Sequence, residues 1–247
     1  MTSGNNIFLR HSEKDGRPFL LWTLPAPMKT LSWALEGGGF AKTQQLCWIQ
    51  VSPQDLTLDT CPRSFLKAAM LECSAANGLG FMTSARLAHF AHAVAQVGET
   101  TATAVVTVGL GNALRAGDPS YQIRRWGTIN CACLVDVPLS AEAMLEAMVI
   151  SAEAKTAAVM DAGVRSVMSG LPATGTGTDC HAIVCPDKSE ELVYAGKHTD
   201  VGSAIGAAVF DAVSRGIQSW ILHHPNHPLI QALPREMPSN SLEVKEA

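Results

Sequence analysis

The strand-like runs of this chain follow one another across connections too short to hold a crossover helix, and this limits the folds open to it. PFLLWTL (18–24), LSWAL (31–35) and LCWIQV (46–51) succeed each other with only Pro-containing and Gly-rich breaks between them. Parallel neighbours need a connection of about a dozen residues or more, so short breaks call for antiparallel pairing. Two later runs alternate with period two. In TATAVVTVGL (101–110), Thr103 and Thr107 oppose Ala104, Val106 and Val108. In GTINCACLVDV (127–137), Thr128 and Asn130 oppose Ile129, Cys131, Cys133 and Val135. These strands, with a few helical patterns among them, predict an α+β fold: a single domain with a mixed, largely antiparallel sheet packed with helices.

The helical patterns carry start and stop signals. Pro62 opens one, with Leu66, Ala69, Met70 and Cys73 on one face and Asn77-Gly78 as its end. GFMTSA (80–85) reads as a short strand and LAHFAHAVAQV (87–97) as a short helix or turn. Ser140 caps a longer helix with Glu142 in its first turn. Its expected apolar stripe is Leu145, Met148, Val149, Ala152, Thr156 and Val159, with Glu153 and Lys155 on opposite borders. ELVYAG (191–196) reads as a strand leading into a helix that begins near Thr199 and buries Val201, Ile205, Val209, Ala212, Val213 and Trp220. Residues 1–17 are expected to be loosely held, 18–224 to form the domain, and 225–247 to be a Pro-rich and then polar tail.

Composition excludes some roles. Hydrophobic residues make up 47% of the 247 and charged residues only 16%, so much of the chain is buried. The net charge is −4 and no basic stripe appears, which argues against nucleic acid. No window reaches the ~18 apolar residues of a membrane span, and the polar N-terminal stretch lacks a signal-peptide pattern, so a cytoplasmic location is expected. The seven cysteines form no C-x-x-C pair and read as core thiols. His89 and His92 would share a helix face, and His223, His224 and His227 lie among prolines, but neither group has a metal-ligand pattern. No metal is expected.

Three loops look chemical: GLGNALRAGD (109–118), ATGTGTD (173–179) and GKHTD (196–200). Bare backbone at Gly175 and Gly177 marks a close approach and suits an oxyanion hole. Thr176 or Thr178 would be a nucleophile if a base lies within reach, and would otherwise orient water. Asp179 is a base, an orienting partner or a brace for the loop. Lys197, His198 and Thr199 open a helix N-terminus, where anions are favoured, and His198 is the expected acid/base group. The pairing of Glu153, with Lys155 or with Lys197, is left open. The three loops are expected to converge on one cleft.

The ordered set GLGNALRAGD, GTIN, EAKTAAVMDAGV, ATGTGTD and YAGKHTDVG, with GFMTSA upstream, closely resembles the adenosylcobinamide amidohydrolase family over residues 78–220. The first 75 residues resemble it only through LSWALEGGGF. The resemblance implies a corrinoid salvage enzyme that hydrolyses the amide between aminopropanol and a propionate arm of adenosylcobinamide, giving adenosylcobyric acid. It also implies action on complete corrinoids with an unsuitable lower ligand in some relatives. No cofactor is implied beyond the cobalt of the substrate. A corrin is fringed with amides, so Asn112, Thr128 and Asn130 are expected hydrogen-bonding partners. The partner is thus a corrinoid small molecule, with no nucleic acid and no membrane span, and with a homo-oligomer left open. Two alternatives remain: a non-enzymatic corrinoid carrier, and a hydrolase self-cleaved before a threonine of ATGTGTD.

Overall fold

A computed structural model of the chain describes residues 8–120 and 126–231. The last residues of the expected tail, 232–247, and part of the loop after GLGNALRAGD lie outside the described residues. In chain order the strands are β1 (Phe8–Lys14), β2 (Arg17–Ser32), β3 (Gly39–Gln50), β4 (Leu79–Thr83), β5 (Ala91–Val97), β6 (Thr100–Val108), β7 (Ala113–Leu114), β8 (Ile129–Val135), β9 (Gly175–Thr176) and β10 (Cys180–Cys185). The helices are α1 (Pro62–Glu72), α2 (Ala141–Asp161), α3 (Asp200–His223) and the short α4 (Pro228–Gln231). None is long and apolar enough to cross a membrane.

Eight strands form one sheet in the order β4-β3-β2-β10-β8-β6-β5, with β1 added to β2. Its pairs are antiparallel except β3–β4 and β8–β10. Both parallel pairs have a helix in their connection, α1 and α2 respectively. The fold class is as expected, a single α+β domain. Residues 8–14, within the segment expected to be loosely held, form β1 as a ladder along Arg17–Thr23.

Long β2 is broken between Thr23 and Met28, where its register against β3 shifts. Pro25 and Pro27 lie in this break, and neither can donate to a ladder. The sheet bends there. Leu20, Trp22, Leu46, Trp48 and Phe81 from the β2–β4 half meet Val105, Ala132, Leu134, Ala182 and Val184 from the β6–β8–β10 half in one apolar cluster. A second cluster, with Phe19, Leu21, Cys47 and Ile49, lies beneath Leu66, Ala69 and Met70 of α1. The largest lies between α2, α3 and the far face of β6, β8 and β10. The layers are therefore α1, half-sheet, half-sheet, then α2 with α3.

Several elements differ from expectation for a tertiary reason. LAHFAHAVAQV is a 3-10 turn (Leu87–His89) followed by β5, because Ala91–Val97 finds a ladder on β6. LSWAL is the end of β2 and a loop, and ELVYAG makes only a single bridge, Leu192 to Leu139. α1 stops at Glu72, before the left-handed Ser74, and does not reach Asn77. Leu145 and Val149 of the predicted α2 stripe are more than half exposed, while Ala143, Met144, Ala147, Ile150, Ser151, Lys155 and Ala158 are buried. That face is small and partly polar, which lets α2 lie close to α3 and gives the Ser151 and Lys155 side chains partners on the sheet.

Candidate active site

β8 and β10 are parallel, so Ile129 and Cys180 begin at the same end of the sheet. Asp179, immediately before β10, points to the helix side. Its carboxylate accepts from Lys155 Nζ (2.8 Å), from Thr176 Oγ1 (2.5 Å), from the Thr176 N–H (3.1 Å to each oxygen) and from the Ile129 N–H (3.1 Å). Lys155 also donates to Thr174 O at 2.8 Å. A Cβ at Gly175 would overlap both Asp179 Oδ2 and Lys155 Nζ, so the bare backbone foreseen there is what admits the ion pair. The side chains of Lys155 and Asp179 are only 9% and 12% exposed, and loss of either partner leaves a poorly solvated charge.

Short β7 and β9 tie GLGNALRAGD to ATGTGTD: Ala113 pairs with Thr176 and Leu114 with Gly175. Beside this junction opens a cleft of about 430 Å3. Its apolar walls include Leu35, Leu66 and Phe81, and its polar groups include Asn112, Thr128, Asn130, Thr178 and Asp179. Asn112 is buried against Gly127, and its Oδ1 has no partner among the described residues. Asn130 Nδ2 donates to Met82 O (2.7 Å). Thr128 Oγ1 donates to Thr178 O (2.8 Å), and Thr178 Oγ1 to Gly127 O (3.2 Å). The half-exposed indoles of Trp33 and Trp126 stand among the lining residues. Cys180 also lines the cleft, but burial pushes its thiol up to about 12, so it presents no thiolate at neutral pH.

The third loop does not join this site. Thr107, Asn130 and Cys180 lie side by side at the cleft end of the sheet. Gly98, just before the other end of β6, packs against Asp200 at the start of α3. From Thr100 to Thr107 the strand covers about 23 Å at roughly 3.3 Å per residue. Thr199 caps α3 as expected, accepting from the Gly202 N–H at 3.1 Å. His198 is exposed in that turn, and Lys197 forms an ion pair with exposed Glu153 (2.5 Å). Glu153 and Lys155 are about 200° apart around the helix, so one reaches the GKHT turn and the other Asp179. Gly177 and Thr178 are exposed in the turn of ATGTGTD. Of the expected site residues, Asn112, Thr128, Asn130, Lys155, Gly175, Thr176, Thr178 and Asp179 gather together; Glu153, Lys197, His198 and Thr199 lie elsewhere.

Sequence reasoning misses one histidine of this region, His181, which lies on β10. Its Nδ1 lies 2.8 Å from Ser151 Oγ, and Trp33 stacks on its ring at 5.3 Å while donating to Asp179 O (2.8 Å). Nε2 has no partner among the described residues. Burial pushes the imidazole down to about 4; the Lys155 charge acts the same way and Asp179 opposes it. The available signals were a polar ring in an apolar run two residues after Asp179, and Ser151 one helical turn before Lys155.

Among the described residues no group of three or more His, Cys, Asp or Glu side chains is arranged to hold a metal. His89 ends the 3-10 turn and His92 lies on β5, so they do not share a helix face.

A family profile described as adenosylcobinamide amidohydrolase matches residues 6–225. An uncharacterized protein of Methanocaldococcus jannaschii is 31% identical over a stretch covering 51% of this chain and 57% of that protein. The chain thus spans little more than half the length of this curated relative. Among solved structures, a protein of Pyrococcus horikoshii superposes with a TM-score of 0.45 at 13% identity, over 82% of this chain and 78% of its own. An L-aminopeptidase D-Ala-esterase/amidase from Ochrobactrum anthropi, described as a variant of the Ntn-hydrolase fold, gives 0.41 at 12% identity, over 86% and 82%. The profile match runs through every element that builds the cleft, from β2 to α3, and by it the chain belongs to the adenosylcobinamide amidohydrolase family.

Proposed function

We propose that this chain hydrolyses the amide joining aminopropanol to a propionate arm of adenosylcobinamide, releasing aminopropanol and adenosylcobyric acid. Complete corrinoids that carry a nucleotide loop on the same arm are included in the proposal. One observation carries it: a Thr176–Asp179–Lys155 constellation stands beside an apolar cleft whose polar groups include two carboxamides. A cleft of about 430 Å3 suits one amide arm better than the whole ring. The macrocycle then stays outside, against Trp33 and Trp126. Asn112 Oδ1, buried without a partner among the described residues, is suited to accept from a substrate N–H.

The chemistry follows from what each group can exchange. Every oxygen of Asp179 is already bonded, and the 2.5 Å contact is the one that holds a transferable hydroxyl proton. Thr176 Oγ1 attacks the amide carbon as its proton passes to Asp179, with the Lys155 ammonium stabilising the carboxylate. Backbone amides of the Gly177–Thr178 turn serve the oxyanion. Collapse expels the amine, which takes the proton from Asp179, and water then hydrolyses the threonyl ester. No nucleotide or metal enters these steps. His198, exposed in the turn that opens α3, has no role in them.

The test is incubation with adenosylcobinamide, with corrinoids and amines separated by mass-resolved chromatography. Equimolar adenosylcobyric acid and aminopropanol are expected. Tight corrinoid binding with no product after prolonged incubation would replace the amidohydrolase with a carrier.

A further inference from the structure

A second cavity of about 440 Å3 adjoins the cleft and shares Val51, Ser84 and Trp126 with its wall. Its chemistry is different. Ser52, Ser84, Arg86, His89 and His224 line it, and among the described residues no Asp or Glu does. Arg86 is exposed, and among the described residues no carboxylate lies within ion-pair distance of it. The nearby Asp55 is already held: it accepts from the Ser52 N–H and hydroxyl (2.7 Å each) and pairs with Arg17 at 3.1 Å.

The histidines are fixed in place. His223 and His224 close α3, and their Nδ1–H groups donate to Ser219 O (2.7 Å) and Trp220 O (2.8 Å). In both rings Nε2 is therefore turned away from the helix. The His223 ring stacks on His89 at 3.6 Å, and the His224 ring on Trp220 at 4.6 Å. Burial, and then the neighbouring His223, Arg86 and His224, hold the His89 imidazole below its ordinary range. Cationic and titratable nitrogens thus crowd one face with no counter-charge among the described lining residues. Such a face is completed by an oxyanion, which a guanidinium fork binds in bidentate fashion.

We propose that this second cavity is a phosphate-ester site, receiving a phosphate carried on the amine side of the scissile amide. The inference rests on the amide-hydrolysis reading for its substrate, but not for its ligand class. Arg86 is the principal anchor, with the Ser84 hydroxyl as a neutral donor and the His89 and His224 rings lining the same cavity. The space exceeds that of a phosphate alone, so the organic part of the ester fits beside the Trp220 indole.

Inorganic phosphate and pyrophosphate are the probes. Titrated at low ionic strength into amide-labelled protein, they are expected to shift the Ser84, Gly109 and Gly111 resonances, with affinity at least tenfold weaker in Arg86→Gln. His89→Gln, at a second lining position, is expected to weaken it too. No shifts at these amides, or equal affinity in both variants, would overturn the site. This measurement needs no turnover, so it stands or falls apart from the amidohydrolase reading. With active enzyme, the kcat/KM ratio of phosphate-bearing to phosphate-free amide substrates is expected to fall at least tenfold in Arg86→Gln, and free phosphate to compete only with the former. An unchanged ratio would overturn the assignment of the phosphate to the substrate.

Discussion

Thr176 and His198 are both polar, both in turns and both close to glycine, yet only one has a carboxylate at 2.5 Å. Thr176→Ala and Asp179→Asn are each expected to lower kcat by about two to four orders of magnitude, the span of a lost proton-transfer group. Thr176→Ser is expected to retain measurable turnover, and His198→Ala to remain within about twofold of wild type. Steady-state release of aminopropanol checks all four. His181 governs a separate, pH-dependent effect on stability. Its imidazole has a native value of about 4 against an ordinary ~6.5, so the unfolded chain binds its proton first as pH falls. The contribution is intact above about pH 6.5 and is lost progressively down to about pH 4, in all about 3 kcal/mol. Denaturant titrations at pH 7.5 and 4.5 are expected to differ by less in His181→Asn than in the wild type.

Elements whose cause is local were legible in the sequence. Pro62, Ser140 and Thr199 each start a helix where expected, because a cap or a proline acts within a turn of itself. Elements whose cause lies across the sheet were not. Ala91–Val97 carries helix formers, and only the ladder on β6 makes it a strand. On α2 the larger apolar side chains misled, since Leu145 and Val149 face outward while Lys155 turns in toward Asp179. The ATGTGTD loop was legible because glycine, threonine and aspartate have few uses in that pattern; His181 was hidden because its apolar neighbours resemble any core strand. The α3 cap offers the sharpest test at this scale. A Cβ at Gly202 would overlap the carbonyl oxygens of Ala195 and Gly196, which are backbone and cannot swing aside. Gly202→Ala is expected to cost about 3 kcal/mol by overpacking and to lower Tm by roughly 6–12 °C.

At the scale of the whole molecule, the bend in β2 makes one continuous sheet supply both walls of its own middle layer. Trp22 and Trp48 lie inside that layer, and Trp220 lies in the α2–α3 layer on the other side of β6 and β8. The layers share strands, so neither melts alone. Unfolding followed by indole fluorescence and by far-ultraviolet circular dichroism is expected to give one coincident transition. Two separated midpoints would mean that the half-sheets fold independently. The same layering sorts the seven thiols. Cys47, Cys131, Cys133 and Cys185 are buried, and burial raises the affinity of Cys73 and Cys180 for their protons too. Cys61 is exposed at the cap of α1, and hydrogen bonds from Ser64 lower its pKa. It also precedes Pro62, which lines the cleft. A thiol-selective dye added briefly at neutral pH would therefore attach at that single position on the unaltered protein. The protein thus has a built-in optical handle beside the entrance to its cleft, and a change in the dye's emission would time the arrival and departure of whatever ligand the cleft takes, without any engineered cysteine.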